Sequence, residues 1–193
     1  MRNLSYQRMV VGYHGCDASI IDDVLRGRPL MPSDNVYDWL GTGVYFWEYG
    51  PARALEFARA KAKRDASLGR PSITKPAVIG AYINLGRCFD LADTRYTATA
   101  KLGRAELLAS LNESGERLPV NAPGLGDAHG DLLLRNLDCA VLNYTLRDDD
   151  FDTVRGIFVE GTPAYVGAGF AAKSHIQVAV RNPGAVIGYF LPR

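Results

Sequence analysis

Cysteine is scarce in this chain: Cys16, Cys88 and Cys139 are odd in number and far apart. That spacing excludes a disulfide framework, which needs paired thiols, and a zinc site, which needs them clustered; it fits the reduced thiols of a cytosolic protein. No stretch approaches the run of about 18 apolar residues that a membrane-spanning helix requires, and Met1 to Arg8 lacks the apolar core of a secretion signal. A cytoplasmic protein with no membrane partner is therefore expected. Neither sign of charge prevails, with 22 basic against 21 acidic side chains and a formal net charge of +1. Binding to nucleic acid or to an acidic surface would have to come from a local patch. His129 and His175 stand near no Cys or acid at ligand spacing, so no metal is expected. Internal repeats and low-complexity tracts are absent, and Gly124-Leu125-Gly126 is no dinucleotide fingerprint, because no strand precedes it and no suitably spaced helix follows.

What is present is enough for one core. A chain of 193 residues, 47% of them hydrophobic, buries roughly 70% of its unfolded surface, so residues 1–193 read as a single domain. Apolar periodicity predicts a strand at 9–14 and a helix from Ser19 to Gly27, capped by Asp17-Ala18-Ser19 and stopped by the glycine. After a Pro- and Gly-punctuated loop at 28–41 come a strand at 43–47 and a helix from Pro51 to Arg64, with Ala54, Leu55, Ala58 and Ala62 on one face. A buried-type strand runs from Ala77 to Leu85 and resumes after Gly86. Helices at 103–113 and 130–147 flank a Pro/Gly loop at 119–130, and strands at 156–159, 176–181 and 185–190 follow, the last two joined by a turn at Asn182-Pro183-Gly184.

Two segments carry chemistry. Tyr13-His14-Gly15-Cys16 closes the apolar run from Met9, so His14 is expected where a sheet opens onto solvent. Leu40-Gly41-Thr42-Gly43-Val44-Tyr45-Phe46-Trp47 delivers an aromatic face to a similar position, preceded by glycines that a plain core strand does not need. A structural histidine and an aromatic core strand are the plain alternatives. Arg53, Arg59, Lys61, Lys63 and Arg64 form a basic helix face, read as solvated or as a wall for phosphates.

Together the two segments resemble the nicotinamide-gripping half of the ADP-ribosyltransferase fold of the diphtheria-toxin and poly(ADP-ribose) polymerase type, whose signature is a His, a Tyr and usually a Glu on three separate strands. The resemblance covers about half of the chain. It implies an α+β fold with a split mixed/antiparallel sheet and flanking helices. It also implies that His14 bonds the ribose beside nicotinamide, that the main chain of Gly15 bonds the carboxamide, and that the ring of Tyr45 stacks on the nicotinamide. A flat ring on a flat ring contributes about 0.5–1.5 kcal/mol beyond burial. Phe57, on the helix at 51–64, is the candidate for the opposite wall of the cleft. Val78 to Cys88 is similar to the strand-and-glycine block that follows in polymerase-type members.

The third motif departs from the family pattern. Lys173 to Arg181, followed by Val186 to Phe190, resembles the C-terminal strand pair that usually begins with the catalytic Glu, yet it holds no acid. Gln177 stands in that strand, with His175 one pleat away on the same face. Cleavage of the nicotinamide–ribose bond passes through a cationic sugar, which a carboxylate stabilises by about 3–4 kcal/mol. Glu160, beside Gly161 at the end of the 156–159 strand, is the candidate substitute.

The resemblance therefore implies transfer of a single ADP-ribose unit from NAD, a co-substrate, to a macromolecular acceptor, protein or nucleic acid; loss of the acid argues against chain elongation. A small catalytic domain of this kind looks like a bacterial toxin or effector, with an antitoxin or immunity protein as partner. Two alternatives stay open: a catalytically inactive module that binds NAD or ADP-ribose, and an NAD glycohydrolase that uses water as acceptor.

Overall fold

The computed structural model describes residues 6–70, 72–124 and 130–192; Met1 to Ser5, Leu125, Gly126 and His129 lie outside the described residues. The elements, in order, are β1 (Tyr6–Asp17), α1 (Ala18–Leu25), β2 (Val44–Glu48), α2 (Pro51–Ser67), β3 (Pro76–Gly86), β4 (Cys88–Asp90), α3 (Thr94–Ser114), α4 (Asn136–Thr145), β5 (Thr153–Phe158), β6 (His175–Val180) and β7 (Val186–Phe190). The strands form one seven-stranded sheet in the order β4-β5-β6-β2-β1-β3-β7. Every neighbouring pair is antiparallel except β4 with β5, so the sheet is mixed and the class is α+β.

Alternation along the strands divides the apolar residues between two faces. Val10, Phe46, Ile79, Ala81, Ile83, Val178 and Val180 pack with Ile21 and Val24 of α1 in one core. Phe89, Val154 and Ala179 point the other way and pack with Leu142 and Leu146 at α4, with Tyr96 and Ala100 of α3 against them. The second face also carries α2 above β1, where Ala54 and Ala58 close over Gly15.

Several elements differ from their sequence reading: the helix expected over 130–147 is confined to Asn136–Thr145, and the strand expected at 156–159 runs from Thr153 to Phe158, leaving Glu160 beyond its end. β1 runs past His14 to Asp17 because β3 pairs with it throughout, Cys16 with Ala77 and Asp17 with Pro76; His14 is therefore not a strand end. α3 starts at Thr94, well before residue 103, capped by the Asp93 side chain on the Arg95 N–H. Its threonines and Gly103 mask the helical signal, and Gly103 is tolerated because a Cβ there would meet Thr145 Oγ1 at 2.0 Å, where α3 packs on α4.

Asp17 joins three segments. One carboxylate oxygen accepts from the Ser19 N–H and hydroxyl at 3.0 and 2.8 Å. The other accepts from Thr74 N–H, Thr74 Oγ1 and Lys75 N–H at 2.7, 2.9 and 2.8 Å. The N–H of Lys75, then the donors of Ser19 and Thr74, hold this carboxyl well below the usual carboxylate range. A depressed folded-state pKa contributes stability that is present above the unfolded value, near 4, and is lost as pH falls toward the folded one. Asp17→Asn is thus expected to lower the melting temperature at pH 7 and to flatten the loss of stability below about pH 4; equal melting curves for variant and parent across that range would refute the assignment.

Candidate functional site

The main-chain ladder between β1 and β2 is short, pairing Gly12 with Glu48 and Tyr13 with Trp47. Beyond Tyr13 the imidazole of His14 spans the two strands: its Nδ1–H donates to the carbonyl oxygen of Tyr45 at 2.8 Å. Burial, only partly opposed by this bond, lowers the His14 pKa, so the ring is neutral with Nε2 as acceptor. Its ring centroid lies 5.8 Å from that of Phe46, on the α1 side.

Gly15 faces the other way. A Cβ there would stand 2.1 Å from the carbonyl oxygen of Ala54 in α2, so only glycine admits the helix at this depth. The carbonyl of Val11 accepts from the Tyr49 N–H at 2.9 Å, on the β2 side. Since a strand's main-chain groups alternate in direction, those of Gly15 turn to the same side, toward the His14 gap.

Tyr45 shares the Gly15 face, so its side chain and that of His14 lie on opposite faces and meet only through imidazole and carbonyl. The Tyr45 hydroxyl donates to Gly41 O at 2.7 Å and accepts from Leu40 N–H at 2.8 Å. Burial pushes its pKa far above that of an ordinary phenol, and its ring packs on the second core. The ring of Phe57, partly exposed on α2, is 5.0 Å from that of Trp47, the next residue of β2 on the Tyr45 face.

The remaining residues singled out by the sequence converge around His175. Gln177 is buried and pairs across the strands with Trp47 and with Gly156. His175 lies on the same face, between Trp39 (ring centroids 5.9 Å, stacked), Phe158 (5.7 Å) and Trp47 (6.4 Å). Its Nδ1–H donates to Lys173 O at 2.7 Å, with Glu160 Oε2 at 3.7 Å. Burial first, then the charges of Arg53 and Arg135, lower its pKa to about 4. Glu160 accepts from Arg53 Nη2 at 2.9 Å. Burial, and secondarily Asp131, nevertheless raises its pKa above the usual carboxylate value against the pull of Arg53 and Lys173. Arg135 lies over the rings of Trp39 and Phe158, at 4.4 and 5.1 Å from their centroids.

Four solvent-shielded atoms of this cluster have no hydrogen-bond partner among the described residues: Trp47 Nε1, Arg53 Nε, Arg135 Nε and His175 Nε2. Each such group costs about 1–3 kcal/mol if left unpaired. Concentrating them around one imidazole is unusual for a region serving only as core.

Trp39 and Arg135 carry no motif signal, and Trp47 closes the Leu40–Trp47 segment without a role of its own in it. One hint was available: the chain has only two tryptophans, Trp39 and Trp47, and both approach His175. The basic face of α2 is not an open stripe, because Arg53 is held by Glu56 and Glu160, and both Lys61 and Arg64 by Asp65. Among the described residues no group of three or more His, Cys, Asp or Glu is arranged to hold a metal ion, and no helix is long and apolar enough to cross a membrane. The three thiols are buried, and burial pushes Cys16 up to about 11 and Cys88 up to about 12, which leaves them unreactive at neutral pH.

No protein-family model matches the chain. It is similar to a protein of Methanocaldococcus jannaschii described as uncharacterized protein MJ0359, with 26% identity over 204 aligned residues that span 95% of this chain and 86% of the relative.

Proposed function

We propose that this protein binds NAD at the gap between β1 and β2 beside Gly15, Tyr45 and Gln177 and transfers one ADP-ribose unit to a macromolecular acceptor. The observation that carries the reading is the adjacency of β1, β2 and β6, which bear His14-Gly15, Tyr45 and Gln177, together with the short β1–β2 ladder that ends beside His14. A sheet that parts at this point offers the carboxamide of nicotinamide the donor and acceptor it needs, from the Gly15 main chain. His14 keeps the strands apart at that level and orients the Tyr45 segment. In the reaction the bond between the ribose anomeric carbon and the nicotinamide nitrogen breaks, and its electron pair neutralises the pyridinium. The acceptor forms the new bond to that carbon and gives up a proton. Glu160 supplies the negative charge that the β6 strand lacks, in the ionised form that Arg53 favours. A bacterial toxin or effector with a cognate antitoxin or immunity protein is the setting this reading implies.

Glu160→Gln is accordingly expected to cut nicotinamide release by about 100-fold, whereas Gln177→Glu retains or raises it. Because the Glu160 pKa is raised and the ionised form is the active one, parental activity should climb with pH through a midpoint above that of an exposed glutamate. Glu160→Gln at the parental rate would remove this residue from the chemistry. A second reading, a module that holds NAD or ADP-ribose without cleaving it, is favoured by the Arg53–Glu160 pair, which occupies the nearest carboxylate. Binding without nicotinamide release separates the two.

A further inference from the structure

We propose that the cluster around His175 is the binding site for the ribosyl-phosphate portion of the ligand: phosphate oxygens on Arg53, Arg135 and the Trp47 N–H, and a ribose hydroxyl on His175 Nε2. This rests on the NAD reading above and joins His175, Trp47 and Arg53, which the sequence singles out separately, to Trp39 and Arg135, which it does not.

The chemistry of the unpaired atoms selects the ligand. Trp47 Nε1, Arg53 Nε and Arg135 Nε are all donors, two of them on guanidinium groups, and donors with positive charge call for an anionic acceptor such as phosphate. His175 Nδ1–H is committed to Lys173 O, so Nε2 is an acceptor and calls for a hydroxyl. The His175 side chain is only 4% exposed and Trp47 only 4%, so neither unpaired nitrogen reaches bulk water. A phosphate suits the three donors and a sugar hydroxyl the acceptor, and the rings of Trp39, Trp47 and Phe158 stand around His175 as apolar walls.

The elements also allow such a ligand in. Trp39 and Arg135 stand on connecting segments outside the sheet, tied by Trp39 Nε1–H to Leu133 O at 2.9 Å and Arg135 to Asp138 at 3.3 Å. These can move aside without breaking a strand ladder. Arg53, held between Glu56 and Glu160, can exchange the half-exposed Glu56 carboxylate for a phosphate and keep its bond to Glu160.

Because both tryptophans line the cluster, their fluorescence reports on it directly. Titration of the purified full chain with ADP-ribose, which lacks nicotinamide, is expected to change tryptophan emission saturably. The affinity is expected to fall at least tenfold in Arg135→Gln and in His175→Phe, with Arg135→Lys keeping part of it. Thermal melts identify any variant that has lost its fold, and Arg53→Gln serves as an additional test of the same contacts. No saturable response to ADP-ribose in the parent, or equal affinity in folded Arg135→Gln and His175→Phe variants, would overturn the proposal. Titration with NAD and with nicotinamide alone keeps the two claims apart: ADP-ribose bound without nicotinamide release from NAD leaves this site standing and removes the transferase reading, and NAD cleaved without ADP-ribose binding does the reverse.

Discussion

Gly15→Ala is expected to lower the free energy of unfolding by about 3 kcal/mol, the upper end of what overpacking costs, because the added methyl has nowhere to go. Its Cβ would lie 2.1 Å from the Ala54 carbonyl oxygen and 3.3 Å from the Ala58 Cβ. The nearest obstacle is main chain, so no rotamer relieves the contact and α2 as a whole must lift off β1. In a protein of this size such a loss shifts the melting temperature down by about 6–12 °C. α2 carries Arg53 and Phe57, so the same displacement should weaken ligand binding even in the fraction that folds. Urea denaturation checks the first effect; a midpoint within error of the parent would show that α2 does not pack at this depth.

The second large effect lies on the opposite face. Arg155 Nε donates to Glu48 Oε2 at 2.6 Å and its Nη1 to Asp90 Oδ2 at 3.0 Å, with side-chain exposures of 7, 2 and 9% for Arg155, Glu48 and Asp90. This triad ties together β5, β2 and β4. Arg155→Met leaves Asp90 buried without its cation and Glu48 with only the 3.9 Å contact of the largely exposed Arg8, and is expected to cost about 3–5 kcal/mol. The triple change Arg155→Met, Glu48→Gln, Asp90→Asn should recover most of that loss, because the penalty comes from the stranded charges more than from the missing attraction. If the single variant were as stable as the parent, the triad would not be closed to solvent as described. Glu48 directly follows Trp47, so the triad also fixes the end of β2 from which Trp47 reaches the His175 cluster.

The sequence was most informative where local physics decides. The Asp17 cap, the Pro51 start of α2 and the apolar run that becomes β3 are all local signals, and the corresponding elements formed close to their expected limits. β1 outran its expected end because the pairing that extends it comes from β3, more than sixty residues away, in partners such as Cys16 with Ala77. The three strands of the candidate site were legible as segments, but the direction of their side chains was not. Alternation fixes which residues of one strand share a face; only the register across strands says whether His14 and Tyr45 share one. Tyr13 pairs with Trp47, which sends His14 and Tyr45 to opposite faces, and a slip of one residue would have reversed that. The Arg53–Glu160 contact spans 107 positions, and no periodicity encodes it. Trp39 and Arg135 sit on connecting segments, where spacing rules have no purchase.

The transferase reading is tested most directly by incubating the purified chain and its His14→Ala variant with NAD labelled in the adenylate half and whole-cell lysate, then dividing the acid-insoluble product by its sensitivity to protease and to nuclease. The account predicts label in one macromolecular class with the parent, equimolar release of nicotinamide, and loss of both in a folded His14→Ala variant; NAD recovered intact from the parental reaction, or equal labelling by both proteins, would contradict it.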